Sequence, residues 1–448
     1  MSLPKKSYLH IGILAAATAL LYARSSGNEF LFHWDDQWVV INTYTEQGFA
    51  VHNLWHVLTD FYHGQYAPLN ELLYIIIFRF FGYNPSAFHA ASILLHVCNV
   101  VLVYFFVSGL LDGMSRGGSV KYPAEKVRSM AFVAALLFAV HPVCVESVSW
   151  VSASKVLVYT FYYLIALCLY LKYVKTKTIA LYLLVLFFFI LSFGGKEQAV
   201  VFFLSCLLVD YAIVRKDCLT DLIIEKLPMI LLALFFGCIT IMSQGSGGSD
   251  TMPQYDMPER CLLACYSLFE YLVKAFLPFN LSYIYPFPFL PGEHIPFHLY
   301  LYPLAVAALA YAVYSYRHNR LVVFASLFFL VNLLVALHII SISRFAVTAD
   351  RYVYLSLMAS CLIISSIFVN YAQGRIRTVA NIALCLYMSY LTVVTFRYQG
   401  QWENTTSLKH HIREILNSRD DIISLAKKII SVGRSSYIKT NNNDYETI

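Results

Sequence analysis

Charged residues are scarce in this chain. They make up 13% of its 448 residues, against about 25% in ordinary soluble domains, and so small a share excludes a water-exposed globular surface. Nucleotide chemistry has no foothold either, since there is no Walker loop and no glycine fingerprint after a strand pattern. No Ser-His-Asp spacing stands out, and neither Cys nor His occurs at metal-ligand spacing. The ten Cys mostly sit inside apolar runs (Cys98, Cys168, Cys206, Cys238, Cys361, Cys385), where a free thiol acts as a small hydrophobe. Cys261 and Cys265, one helical turn apart, read as packing residues.

Apolar and aromatic side chains are abundant: 59% of the residues are hydrophobic, and 34 Tyr and 33 Phe bring the aromatics to 16%. The mean hydropathy is +0.62. This composition predicts an all-α polytopic membrane protein with aromatic belts at the lipid surface. Spanning hydrocarbon takes about 20 residues, and runs that approach this length lie at roughly 8–23, 88–111, 130–142, 156–171, 179–194, 198–214, 228–243, 299–316, 321–340, 353–370 and 378–396. About 11 transmembrane helices are expected, with interfacial helices in the outer loops. Lys5 and Lys6 precede the first run as in a signal peptide, but Ala23-Arg24-Ser25-Ser26 is a poor cleavage site, so a retained first helix is expected.

Basic clusters at Lys5/Lys6, Arg116/Lys121/Lys126/Arg128, Lys172/Lys175/Lys177, Arg215/Lys216/Lys226, Arg317/Arg320 and Arg375/Arg377 fall in alternate gaps, the cytoplasmic-positive pattern. The formal charge of +6 therefore speaks to sidedness, and no nucleic-acid partner is expected. Counting Cys261–Pro278 as a span would break the alternation. With Glu270 and Lys274 at i and i+4, that stretch is expected to be a helix lying along the outer surface.

The outer side then carries a long first loop from Arg24 to about Phe88, the segments 141–155 and 195–197, a large stretch 244–298, the segment 341–352 and the tail from Arg397. A short amphipathic helix is predicted over 69–81, and the Gly/Ser/Pro-rich 244–258 reads as a loop or a lid. Chemistry-bearing residues collect on this face. Asp35 and Asp36 adjoin in the first loop, where a carboxylate takes a proton from a hydroxyl or binds a metal, or simply forms a solvated turn. His141, Glu146, Trp150 and Lys155 share one short connection, in which Trp150 and Lys155 read as interface anchors. Lys196 and Glu197 lie between two apolar runs, where an unpaired charge is unfavourable. As sequence neighbours they would point apart on a helix, so Lys196 is expected to meet an external partner such as a phosphate. Arg344, Asp350 and Arg351 end another hairpin. The planar fork of Arg351 suits a phosphate, the alternative being a salt bridge to Asp350 or Glu197.

Taken in order, these pieces resemble the membrane half of the transmembrane-and-tetratricopeptide-repeat O-mannosyltransferases, a branch of the GT-C glycosyltransferases that use polyprenyl-phosphate sugars. The matching residues are Trp34-Asp35-Asp36, Ala67-Pro68-Leu69, His89 to His96, His141-Pro142 with Glu146 and Trp150, and Lys196-Glu197. They continue with Pro278-Phe279-Asn280-Leu281-Ser282, Asp350-Arg351-Tyr352-Val353-Tyr354-Leu355 and Trp402. Ala67 and Lys155 stand where the pattern has Arg, Asp350 stands where it has Glu, and no 34-residue repeat is present.

The resemblance implies a GT-C transmembrane domain over 1–400 and a short helical and polar tail over 401–448. It implies an inverting glycosyltransferase that moves a sugar, mannose among the candidates, from a polyprenyl-phosphate donor to an acceptor hydroxyl, protein Ser/Thr or other, on the non-cytoplasmic face. Asp35 or Asp36 would be the base, Lys196 and Arg351 would hold the donor phosphate, and Trp34, His141, Glu146 and Glu197 would bind sugar or acceptor. No cofactor is certain; a divalent metal is a candidate, which Asp35 and Asp36 would hold if one is used. The membrane would be the endoplasmic reticulum or a bacterial inner membrane, with the site facing lumen or periplasm. Two rivals stay open: a lipid-linked sugar flippase, with mid-membrane charges and paired broken helices, and a noncatalytic subunit of a glycosylation complex.

Overall fold

In lipid every backbone polar group needs an internal partner, so the apolar runs fold as helices. The computed structural model describes residues 5–245, 255–339, 346–371 and 374–417. Most of the loop or lid at 244–258, Arg344 and the polar end of the tail lie outside the described residues. Among these, no strand forms beyond two isolated bridges, Tyr62 with Gln65 and Tyr285 with Thr348. Helix α1 (Lys5–Tyr22) leads into the first loop, which folds into α2 (Asp36–Val39), α3 (Thr43–Gln47), α4 (Val51–Thr59) and α5 (Pro68–Phe81). Then come α6 (Pro85–Arg116), α7 (Ala124–Val140), α8 (Val145–Ser149), α9 (Ser154–Thr176), α10 (Ile179–Phe193), α11 (Phe202–Ala212) and α12 (Leu219–Gly245). The chain continues through α13 (Met257–Phe276), α14 (Leu301–Ser315), α15 (Arg320–Val331), α16 (Leu357–Tyr371), α17 (Gly374–Gln399) and α18 (Thr405–Asn417).

The protein is polytopic. Among the described residues six helical segments, built on α1, α6, α9, α12, α14 and α17, are long and apolar enough to cross a membrane, and α7 with its bent continuation Pro142–Ser149 makes a seventh. Three further expected runs appear in shorter apolar helices, α10, α15 and α16. The run at 198–214 divides into a 3₁₀ turn, Glu197–Val201, and the eleven-residue α11.

Helices α6, α7 and α9 form the centre, with α1, α10 and α16 packed on them. Phe106, Phe138 and Tyr163 are fully buried there. At the perimeter α14 buries no residue and exposes Leu304 at 66%, as a lipid-facing helix does. Helix α13 opens on a capping box, Asp256 with Glu259, and is not among the segments long and apolar enough to span. Its Lys274 departs from expectation: the side chain turns inward to lie 3.4 Å from Asp350.

Several of the basic clusters gather at one end of the bundle. Lys6 meets Glu125 at 2.7 Å, Lys177 pairs with Asp217, and Arg320 donates to the Tyr211 carbonyl at 2.6 Å. The opposite, loop end is where the first loop, the 141–155 connection, Gly194–Glu197 and the turn Asp350–Val353 meet.

Candidate functional site

Two adjacent acids in the first loop have separate fates, because residues in succession on a helical turn point about 100° apart. The fully buried Asp36 carboxylate accepts hydrogen bonds from the Leu31 N–H (2.8 Å), the Ser152 N–H (3.0 Å) and the Ser152 hydroxyl. Burial pushes its carboxyl up to about 6 against the pull of those bonds. Asp36 thus ties α2 to the turn that starts α9. Asp35 is half-buried, and its side chain accepts no hydrogen bond among the described residues. His33, just before, takes a left-handed φ of 64°, which is uncommon for a side-chain-bearing residue and sets the turn into α2.

Three other segments supply cations to the same neighbourhood. Lys155, in the first turn of α9, feels the charges of Lys196, Asp35, Glu197 and Arg351, and its ammonium donates to Gln65 at 2.5 Å. Lys196 and Arg351 lie against one ring, Tyr352, at 5.3 and 5.1 Å from its centroid. These two, 155 positions apart in the chain, are therefore brought together. Lys196 was expected to point away from Glu197, yet the pair meets at 3.3 Å. The backbone at Lys196 is extended (φ −163°, ψ 147°), so the helical argument does not apply there.

Arg351 is held by Glu146, and not by Asp350 or Glu197. Both Glu146 oxygens are used, one accepting from the Arg351 N–H at 2.7 Å and the other from its guanidinium. Glu146 is fully buried, and its carboxylate supports that cation. His141 is likewise buried: its Nδ1 accepts from the Val143 N–H at 3.3 Å and caps the 54° bend after α7. Trp34 packs half-buried on Tyr283, ring centroids 4.7 Å apart. The indole N–H groups of Trp34 and Trp150 are enclosed without a hydrogen-bond partner among the described residues. Behind Arg351, the Asp350 carboxylate accepts from Tyr285 (2.8 Å) and Tyr398 (3.1 Å) beside Lys274. Gln65 escaped the sequence reading, and Lys274 was read there only as a surface-helix charge; a lysine inside an otherwise apolar helix face was the one available signal.

Glycine at 194 and 195 permits this convergence. A Cβ at Gly195 would lie 2.6 Å from the Tyr159 nitrogen, and one at Gly194 would lie 2.6 Å from Leu69. The Leu69 N–H donates to the Gly194 carbonyl at 2.8 Å. The start of α5, helix α9 and the Lys196 segment thus meet at backbone distance. The arrangement offers one carboxylate free to accept a proton and three cations able to hold an anion. Asp36 is engaged by three donors, and no group of three His, Cys, Asp or Glu side chains within reach of one ion forms among the described residues.

No family model matches the chain, but curated proteins do. It is 35% identical over 147 residues to Protein O-mannosyl-transferase TMTC1 of Homo sapiens, a match covering 31% of this chain and 15% of that protein. It is 29% identical over 164 residues to Protein O-mannosyl-transferase TMTC4 of Mus musculus, covering 34% and 22%. A longer match, 23% identical over 418 residues, is to Protein O-mannosyl-transferase F38B6.6 of Caenorhabditis elegans, covering 88% of this chain and 56% of that one. The resemblance drawn from the motifs is met by these relatives, of whose length the matched regions span 15% to 56%.

Proposed function

We propose that this relative of the TMTC-type protein O-mannosyl-transferases is itself a glycosyltransferase, moving mannose from a polyprenyl-phosphate carrier to a Ser or Thr hydroxyl of a protein. Asp35 takes the acceptor proton as the hydroxyl oxygen attacks the anomeric carbon. The bond from that carbon to the phosphate oxygen breaks, and its electron pair leaves with the polyprenyl phosphate, whose charge Lys196, Arg351 and Lys155 stabilise. Attack opposite the leaving group inverts the anomeric centre. Asp36, Glu146 and His141 position these groups. Trp34 and Glu197, at the rim, contact sugar or acceptor.

The observation that carries the reading is the meeting of one unengaged carboxylate and three cations from four separate segments at the loop end of the bundle. Several basic clusters lie at the other end, which the charge rule assigns to the cytoplasm, so the site faces the lumen of the endoplasmic reticulum. The test is transfer of labelled mannose from a short-chain polyprenyl phosphate to an acceptor protein by the purified chain in lipid nanodiscs. Transfer is expected, and Asp35→Asn, which keeps shape and removes charge, lowers it about 10²- to 10⁴-fold, the usual contribution of a general base. Equal transfer by wild type and Asp35→Asn overturns the assignment of the base.

A further inference from the structure

The first loop holds a cleft that the reaction as described leaves unused. Its walls come from α2 to α4 and the start of α5, and it encloses about 60 Å³ between Trp38, Tyr62, Asp60, Glu71, Gln65 and Lys155. That volume holds about four to six water-sized groups, room for one edge of a sugar ring.

The lining is held in place from behind. Asp60 accepts from the Tyr44 hydroxyl and meets His56 Nδ1, each at 3.0 Å. Glu71 accepts from the Thr45 hydroxyl at 2.7 Å and from the Asn42 amide at 3.3 Å. Each carboxylate keeps lone pairs beyond these bonds. Tyr62 and Gln65 are paired across a two-residue turn in which both central residues are left-handed, His63 at φ 47° and Gly64 at φ 70°. The strain at His63 is of the kind kept at ligand clamps; it places an aromatic ring and an amide over the same opening. Trp38 stands beside them, its ring 4.8 Å from His63 and 6.4 Å from Tyr62.

Aromatic faces for the apolar side of a ring, with carboxylates, an amide and an ammonium for its hydroxyls, match the chemistry of a hexose. Position adds a second argument. Lys155 lines the cleft and feels the charges of Lys196, Arg351 and Asp35. In a polyprenyl-phosphate sugar the ring is bonded directly to the phosphate, so a phosphate held by those cations carries its sugar to a pocket one side chain away. We infer that this cleft is the hexose subsite of the donor, with Asp60, Glu71, Gln65 and Lys155 reading the sugar hydroxyls and Trp38 and Tyr62 flanking the ring.

The inference rests on the proposed transfer reaction and is tested by binding. Two probes are titrated against the protein in nanodiscs: a short-chain polyprenyl-phosphate mannose, and the same polyprenyl phosphate without sugar. Asp60→Asn is expected to weaken the sugar-bearing probe about tenfold, the value of one hydrogen bond, and to leave the sugar-free probe unchanged. Trp38→Ala does the same and Trp38→Phe restores most of the affinity, separating a lost platform from a damaged loop. Equal weakening of both probes, or unchanged donor binding with a raised acceptor KM, overturns the hexose assignment while leaving the transfer reaction intact. Failure of the wild type to bind either probe removes the donor itself, and with it both readings.

Discussion

Helix α9 carries charge at both of its ends, and the two ends solve the same problem differently. At the basic end, the Tyr170 hydroxyl lies 2.7 Å from both Asp210 oxygens and 2.9 Å from Glu225. Lys226 meets Asp210 at 2.8 Å and Glu225 at 2.7 Å, while Arg215 reaches Asp210, Asp217 and Glu225. With Lys177 on Asp217, three cations and three carboxylates close on one another. At the loop end, in front of the Lys274–Asp350 pair, stand again three of each: Lys155, Lys196 and Arg351 against Asp35, Glu146 and Glu197. There Arg351 and Lys196 are paired with acids, but Lys155 is bonded to a neutral amide and Asp35 to nothing among the described residues. Equal charge counts thus conceal a closed network at one end and an open one at the other, and it is the open one that can take an anion and a proton.

Breaking the closed end should have the largest effect on stability. Arg215→Ala leaves three carboxylates short of a partner and is expected to destabilise by about 3–5 kcal/mol, read by thermal unfolding in detergent, with transfer per folded molecule unchanged. Arg351→Ala should approach that loss, because Glu146 is then buried and unpaired, and should abolish transfer as well. Adding Glu146→Gln recovers the stability and not the activity, which separates the two roles of the pair. Lys196→Ala sharpens the contrast from the open side. Losing one charged contact worth about 1.5–3 kcal/mol raises the donor KM by about tenfold or more, with little change in unfolding temperature.

The smallest effect is on the pH response of the first loop. Burial lifts Glu71 from 4.5 to about 7, so between these values the folded loop holds a proton that the open loop has released. The closed form is therefore favoured most below about 4.5 and loses that advantage as pH rises to about 7, by at most one proton, or about tenfold in the opening constant per pH unit. Hydrogen exchange of the 43–59 amides, corrected for intrinsic rates, should follow that slope in the wild type and lose it in Glu71→Gln.

Much of the fold was legible because it depends on local pattern. Apolar runs mark helices wherever lipid or core must be met, and the alternation of basic residues anticipated that Lys6, Lys177 and Arg320 would share an end. The site was legible as a set of residue types at helix ends and not as a geometry. Asp36 is turned into the protein by Ser152, 116 residues away, and nothing near Asp36 announces that partner. Glu146 was read as a ligand contact, and its cation, Arg351, lies 205 residues on. The closed network went unread for the same reason: Arg215 and Lys226 were read only as basic residues of one cluster, and their acids Asp210 and Glu225 were not singled out. The spanning count is lower because four of the expected runs form helices of only 11 to 15 residues, α10, α11, α15 and α16.

The Gly194-Gly195 pair has a consequence for variation. Since a methyl group at Gly195 would meet the Tyr159 backbone and one at Gly194 would meet Leu69, even alanine forces the start of α5 away from α9. The first-loop cleft and the cations beside Tyr352 would then part company without any of their own residues having changed. Among alleles of this protein, a single-atom enlargement there should therefore behave as a loss of function, while bulkier exchanges on lipid-facing α14 pass unnoticed.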